Sequence, residues 1–153
     1  PAWVQRLAAR VPTLVAWKDG QGDIRRYQQI MNRVGDRLHW IGGAGDDAVP
    51  AYYSIGIRTY TSSIATVAPR LSLLLHETAS RGDRGLQSLM DDYVIPLYAL
   101  RARRRGYEVT VMKEMMNAAG LAAGPVRPPL PALHPDDAAE LRALLGRWRP
   151  VLS

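Results

Sequence analysis

Twenty basic residues include only two lysines, Lys18 and Lys113. Lys18 closes the apolar run of residues 13–17 and precedes a turn with Gly20, Gly22 and Asp23, the pattern of a strand, a glycine turn and a helix. In so arginine-rich a chain, a lysine at a strand end suits chemistry that needs an amine able to lose its proton and attack a carbonyl, which a guanidinium does not do. The alternative is an ordinary solvent-facing cation. Two further groups hold equivalent places: Gly42 and Gly43 after a second apolar run, and Thr61, Ser62 and Ser63 after a third. An amine, a backbone-accessible glycine pair and a hydroxyl cluster around one mouth fit a carbonyl substrate that carries carboxylates. Lys18 would condense with the ketone, while hydroxyls and backbone N–H groups hold the anionic end. A free lysine titrates at ~10.4, so an interior that desolvates the amine favours its nucleophilic form. The hydroxyls have a second reading as turn and cap residues, and Asp46 and Asp47 read as acids at a helix start.

Other chemistries find less support. His39, His76 and His134 make no ligand pair at helical spacing, which predicts structural roles and no metal. Gly20 and Gly22 do not form a dinucleotide or phosphate-loop fingerprint. With no cysteine there is no thiolate nucleophile, disulfide framework or cysteine-based metal site. Met112, Met115 and Met116 read as core filling.

The elements that must position these groups alternate in type. A short helix over residues 2–10 ends at Pro12, and a strand over 13–18 follows. Asp23 is the expected N-cap of a helix lined by Ile24, Tyr27, Met31 and Val34 and stopped by Gly35. A strand over 38–41, a helix containing Val49, Tyr52 and Tyr53, a strand over 57–62 and a helix through Leu71, Leu75 and Thr78 complete the series. Helices between strands predict parallel α/β architecture, and the apolar character of residues 13–17 predicts cover on both faces of that strand. After Gly82 only helices are expected: 83–105 with a kink at Pro96, then 109–119, a proline-rich connector and a last helix over 136–146. The expected division is 1–82 for the strand-bearing part and 83–153 for a helical extension.

The chain has 153 residues, 47% of them hydrophobic and 22% charged, which is globular composition. Its formal charge is +6, and the densest basic cluster is Arg101, Arg103, Arg104 and Arg105. No stacking aromatics or helix-turn-helix pattern accompany that cluster, so it reads as a solvated helix end and not a nucleic-acid surface. No run approaches the ~20 apolar residues of a membrane span, and residues 1–10 are not built like a signal peptide. The expected location is the cytoplasm. A first residue of proline suggests a piece of a longer gene product.

The runs VAWKDGQGDI, RTYTSSIATVAP and AGPVRPPL resemble the class I aldolase superfamily of dihydrodipicolinate synthase and N-acetylneuraminate lyase. The KDGxGD turn and the Tyr-Thr-Ser-Ser strand resemble most the 5-dehydro-4-deoxyglucarate dehydratase family within it. The resemblance implies a (β/α)8 TIM barrel with three C-terminal helices, of which this chain carries strands six to eight. It places the Schiff-base lysine at Lys18, the glycines after the seventh strand at Gly42 and Gly43, and the substrate-facing hydroxyls at Thr61 and Ser62. The implied reaction removes water and carbon dioxide from a keto sugar acid, 5-dehydro-4-deoxy-D-glucarate, to give 2,5-dioxopentanoate without a metal or organic cofactor. A keto-acid aldolase or synthase with the same lysine is a second reading, and a noncatalytic barrel remnant or interaction subunit is a third. Strands one to five are missing, with the proton-relaying tyrosine and the carboxylate-binding loop. The chain alone is therefore expected to be inactive, to need that N-terminal half in cis or as another chain, and to form a homo-oligomer. At Thr66 it departs from the asparagine often found in the dehydratases, which bears on the exact substrate.

Overall fold

The computed structural model describes residues 1–152, which divide into two compact units, Pro1–Ser62 and the remainder from Ser63. In the first unit α1 (Ala2–Arg10), β1 (Ala16–Asp19), α2 (Ile24–Val34), β2 (His39–Gly42), α3 (Val49–Ser54) and β3 (Thr59–Tyr60) follow one another. The strands are parallel in the order β1-β2-β3, with Lys18 opposite Ile41, Asp19 opposite Gly42, and Gly42 opposite Tyr60. This is the α/β arrangement expected from the alternation of helices and strands.

Period-two alternation puts Trp17, Asp19, Trp40, Gly42 and Tyr60 on one face of the sheet. The helices cover it. Trp3 of α1 meets Trp17 edge-on at 6.2 Å, Tyr27 of α2 meets Trp40 at 5.8 Å, and Tyr53 of α3 meets Tyr60 at 6.4 Å. The Tyr27 hydroxyl accepts from the Ile41 N–H at 3.0 Å and lies 2.9 Å from the carbonyl oxygens of Trp17 and Ile41, so it fastens β1 to β2. Ala16, Lys18, His39, Ile41 and Thr59 occupy the other face. Within this unit the expected cover on both sides is not found: Lys18 is exposed, and Val15 is 70% exposed.

Local boundaries follow from identifiable contacts. Asp23 caps α2 by accepting from the Arg26 N–H at 2.9 Å, and Gly35 ends the helix at a φ of 65°. The first strand begins at Ala16 and not at residue 13, because the Arg37 guanidinium draws in the carbonyls of Leu14 (2.8 Å), Pro12 (3.0 Å) and Val11 (3.2 Å). The third strand is shorter than residues 57–62, although the Thr61 N–H extends its ladder by donating to the Gly42 carbonyl at 2.9 Å.

The second unit is helical: α4 (Pro69–Arg81), α5 (Gly85–Leu89), α6 (Ile95–Ala102), α7 (Tyr107–Ala118), α8 (Pro135–Arg147) and α9 (Arg149–Leu152). Leu71, Val94, Leu97, Tyr107, Met115 and Trp148 are all fully buried members of its core. Met112 and Met115 lie in that core as expected. The long helix expected over 83–105 is interrupted by a π turn at Met90–Val94, next to Pro96, whose missing N–H and ring disturb a regular α ladder. It also ends earlier, at Ala102. Arg103 turns to Asp137, with which it forms a short ion pair, and to Glu140 at 2.9 Å. One member of the basic cluster is thus engaged in a helix-to-helix contact.

Candidate active site

The chemistry gathers where the strands end. Lys18 and Ile41 lie in one cross-strand row with Thr59, and the next same-face position of β2 beyond Ile41 is Gly43. A Cβ at Gly43 would fall 2.5 Å from the Lys18 Cε, 2.8 Å from its Cγ and 2.7 Å from the Asp19 carbonyl oxygen. The lysine stem therefore passes over Gly43, where the absence of a side chain leaves it room. Lys18, Gly43 and exposed Thr61 are consecutive features of this open face.

Gly42 serves the opposite face. Its hypothetical Cβ would sit 2.4 Å from two ring carbons of Tyr52, which packs flat against the strand and is fully buried. The Tyr52 hydroxyl accepts from the Ala44 N–H at 2.8 Å. Burial raises the Tyr52 phenol above its ordinary range against the pull of the neighbouring backbone N–H groups, Ala44 first, with Asp19 and Asp47 adding to the rise. Tyr27 is raised for the same first reason, burial. Both phenols stay protonated at neutral pH.

Ser62 differs from Thr61. Its hydroxyl donates to Asp46 in a short contact, and Asp46 is fully buried. Asp46 and Asp47 do open a single 3-10 turn before α3, as acids at a helix start, but Asp46 also joins the loop after β2 to the end of β3. Asp19, adjacent to Lys18 in sequence, turns toward the tyrosine side. Its Oδ2 is buried without a hydrogen-bond partner among the described residues. His39 lies on the lysine face, where its Nε2 is 2.9 Å from the Thr59 Oγ1. Among the described residues no group of three metal-ligating side chains occurs, and no helix is long and apolar enough to cross a membrane.

The sequence singled out Lys18, Gly42, Gly43, Thr61 and Ser62, and all five lie at or just beyond one end of the sheet. Tyr52 was legible only as a helix residue. Nothing in its spacing signals that its hydroxyl reaches back eight residues to a backbone N–H.

A parallel sheet with an amine at the C-terminal end of one strand and a glycine turn at the end of the next has counterparts among known proteins. The profile of the dihydrodipicolinate synthetase family matches residues 1–147. This chain belongs to the dihydrodipicolinate synthetase family. A protein of Methylobacterium radiotolerans named "probable 5-dehydro-4-deoxyglucarate dehydratase" is 42% identical over 147 residues, covering 94% of this chain and 48% of the relative. A protein of Ralstonia nicotianae with the same name is 40% identical, over 97% of this chain and 49% of the relative. Among solved structures of the family, dihydrodipicolinate synthase of Oceanobacillus iheyensis superposes with a TM-score of 0.86 at 32% identity, over 96% of this chain and 50% of its own. N-acetylneuraminate lyase of Proteus mirabilis gives a TM-score of 0.80 at 25% identity. The chain thus spans about half the length of the family members it matches.

Proposed function

We propose that this chain is the C-terminal half of a Schiff-base lyase that dehydrates and decarboxylates 5-dehydro-4-deoxy-D-glucarate to 2,5-dioxopentanoate. On this reading β1 to β3 are strands six to eight of a (β/α)8 barrel, and the helical unit is its C-terminal extension. The observation that carries the proposal is the passage of the Lys18 stem over Gly43 at the C-terminal end of β1, the end at which barrel enzymes gather reactive groups. The names of relatives about 40% identical supply the substrate.

The lysine amine adds to the ketone and water leaves, forming an imine. Loss of a proton from the neighbouring methylene gives an enamine, whose electrons expel the hydroxyl one carbon further on as water. The remote carboxylate then leaves as carbon dioxide, its bonding pair flowing through the conjugated chain to the imine nitrogen. Reprotonation and hydrolysis release the product and return the amine. Gly43 leaves room for the Lys18 stem and Gly42 for the Tyr52 ring behind the turn, while Thr61 and Ser62 border the substrate. The proton relay, part of the carboxylate site and the desolvation of Lys18 fall to the N-terminal half, so this chain alone is inactive.

Borohydride reduction in the presence of the keto acid tests the assignment. In the complete protein, mass is added at Lys18, and Lys18→Ala abolishes the adduct. No adduct, or one that survives the substitution, overturns it. Carbon dioxide release distinguishes the dehydratase from an aldolase, which would form pyruvate instead.

A further inference from the structure

We infer that Tyr52 is a positioning residue that sets the polarity of the glycine turn beside Lys18, so that the turn offers the substrate a carbonyl oxygen and selects a hydroxyl group. The inference rests on the lysine reading for its substrate side, and on Tyr52's own contacts for its structural side. The ring lies where a Gly42 side chain would be, and the hydroxyl takes the Ala44 N–H at 2.8 Å. That donor points into the helix-covered face. It is not directed at an anion on the lysine face.

A trans peptide group holds its N–H and C=O in opposite directions. With the Ala44 N–H committed to Tyr52, the Gly43 carbonyl must point away from the tyrosine, toward the end of β1. The geometry agrees: the Gly43 carbonyl oxygen lies 3.7 Å from where a Cβ on Gly20 would stand. Gly43 is also the position over which the Lys18 stem passes. A substrate joined to the Lys18 nitrogen would therefore meet a hydrogen-bond acceptor at this turn. A carboxylate would be repelled there, and a hydroxyl would be held. The expectation that this turn's N–H groups grip the anionic end gives way to a role in recognising the hydroxylated part of a sugar acid.

Tyr52→Phe keeps the ring and deletes the oxygen that fixes the turn. Two measurements on the complete protein test the inference. In amide hydrogen exchange, the Ala44 N–H should exchange at least tenfold faster in the variant, while Ile41, held by Tyr27, changes less than twofold. Unchanged exchange at Ala44 overturns the proposal. In borohydride trapping, pyruvate has no hydroxyl to place, so its adduct yield at Lys18 should change less than twofold. A hydroxylated keto acid should need at least tenfold more substrate for half-maximal trapping. Equal losses for both would mark a general structural role and overturn the proposal, as would no loss for either. If the wild type is trapped by neither substrate, the lysine reading and this substrate preference fall together. The exchange result still decides whether Tyr52 fixes the turn. Tyr52→Trp, which keeps a large aromatic ring but not the hydroxyl, should not restore the preference; restoration would overturn the hydroxyl's role.

Discussion

An alanine methyl at position 43 would stand 2.5 Å from the Lys18 Cε and 2.7 Å from the Asp19 carbonyl, and only the first of these neighbours can swing away. Gly43→Ala is expected to lower trapping at Lys18 by tenfold or more in the complete protein and to lower the melting temperature as well, because the Asp19 carbonyl is backbone and must shift to admit the methyl. Gly20→Ala, whose nearest neighbour would be 3.7 Å away, should leave trapping within twofold. Gly42→Ala behaves differently, because its methyl would meet the ring of fully buried Tyr52. Overpacking of this kind costs about 1–3 kcal/mol, read as an earlier midpoint in urea unfolding. The candidate residues were readable because each stands at the end of an apolar run. The roles of Tyr52, Asp46 and Asp19 were not, because they depend on which face a side chain takes and which loop it reaches, and both are tertiary facts.

Between elements, α6, α7 and α8 are joined by a polar cluster whose centre is Asp137. The buried carboxylate accepts from the Tyr107 hydroxyl at 2.8 Å and pairs with Arg103, which also binds Glu140. These hydrogen bonds, Tyr107 first and Arg103 next, hold the Asp137 carboxyl below the usual carboxylate range, and Glu140 and Asp137 together raise the Arg103 guanidinium. A depressed carboxyl contributes stability that is present above its unfolded value, ~3.9, and is lost as pH falls through the folded value. Thermal melts from pH 7 to pH 2 should therefore show a loss at the acid end that is smaller in Asp137→Asn, a variant already less stable at pH 7. An equal acid loss in both proteins would refute this account. In the nearby core, Leu97→Ala should cost about 2–5 kcal/mol, measured by urea unfolding. The helices themselves were legible from their apolar stripes, Pro96 from its chemistry, and the cap at Asp23 from its residue type. The interruption at Met90–Val94 was not, since a π turn leaves almost the same apolar spacing as a kinked α-helix. The early end of α6 reflects Arg103, whose partners on α8 are more than thirty residues away.

Across the whole molecule, the apolar content is unevenly distributed. The helical unit has a closed core, whereas the sheet of the other unit has helices on one face and Lys18, Ile41 and Thr59 on a face without cover of its own. The chain spans about half of its relatives' length, and the remainder would supply strands to β1 and β3, which flank β2 in the sheet order. Hydrogen exchange should therefore be slower at residues 16–19 and 59–60 in the complete protein than in the 153-residue chain, with α7 little changed. Equal protection of the strands in both would count against the half-barrel reading. Lys18 lies on an outer strand, so the amine and the edge where a neighbouring strand would pair belong to the same four residues. An acylating reagent thus becomes a gauge of assembly. Lys113, on α7, is the only other lysine, so the ratio of modification at the two sites would follow complementation of the halves in a single mass spectrum.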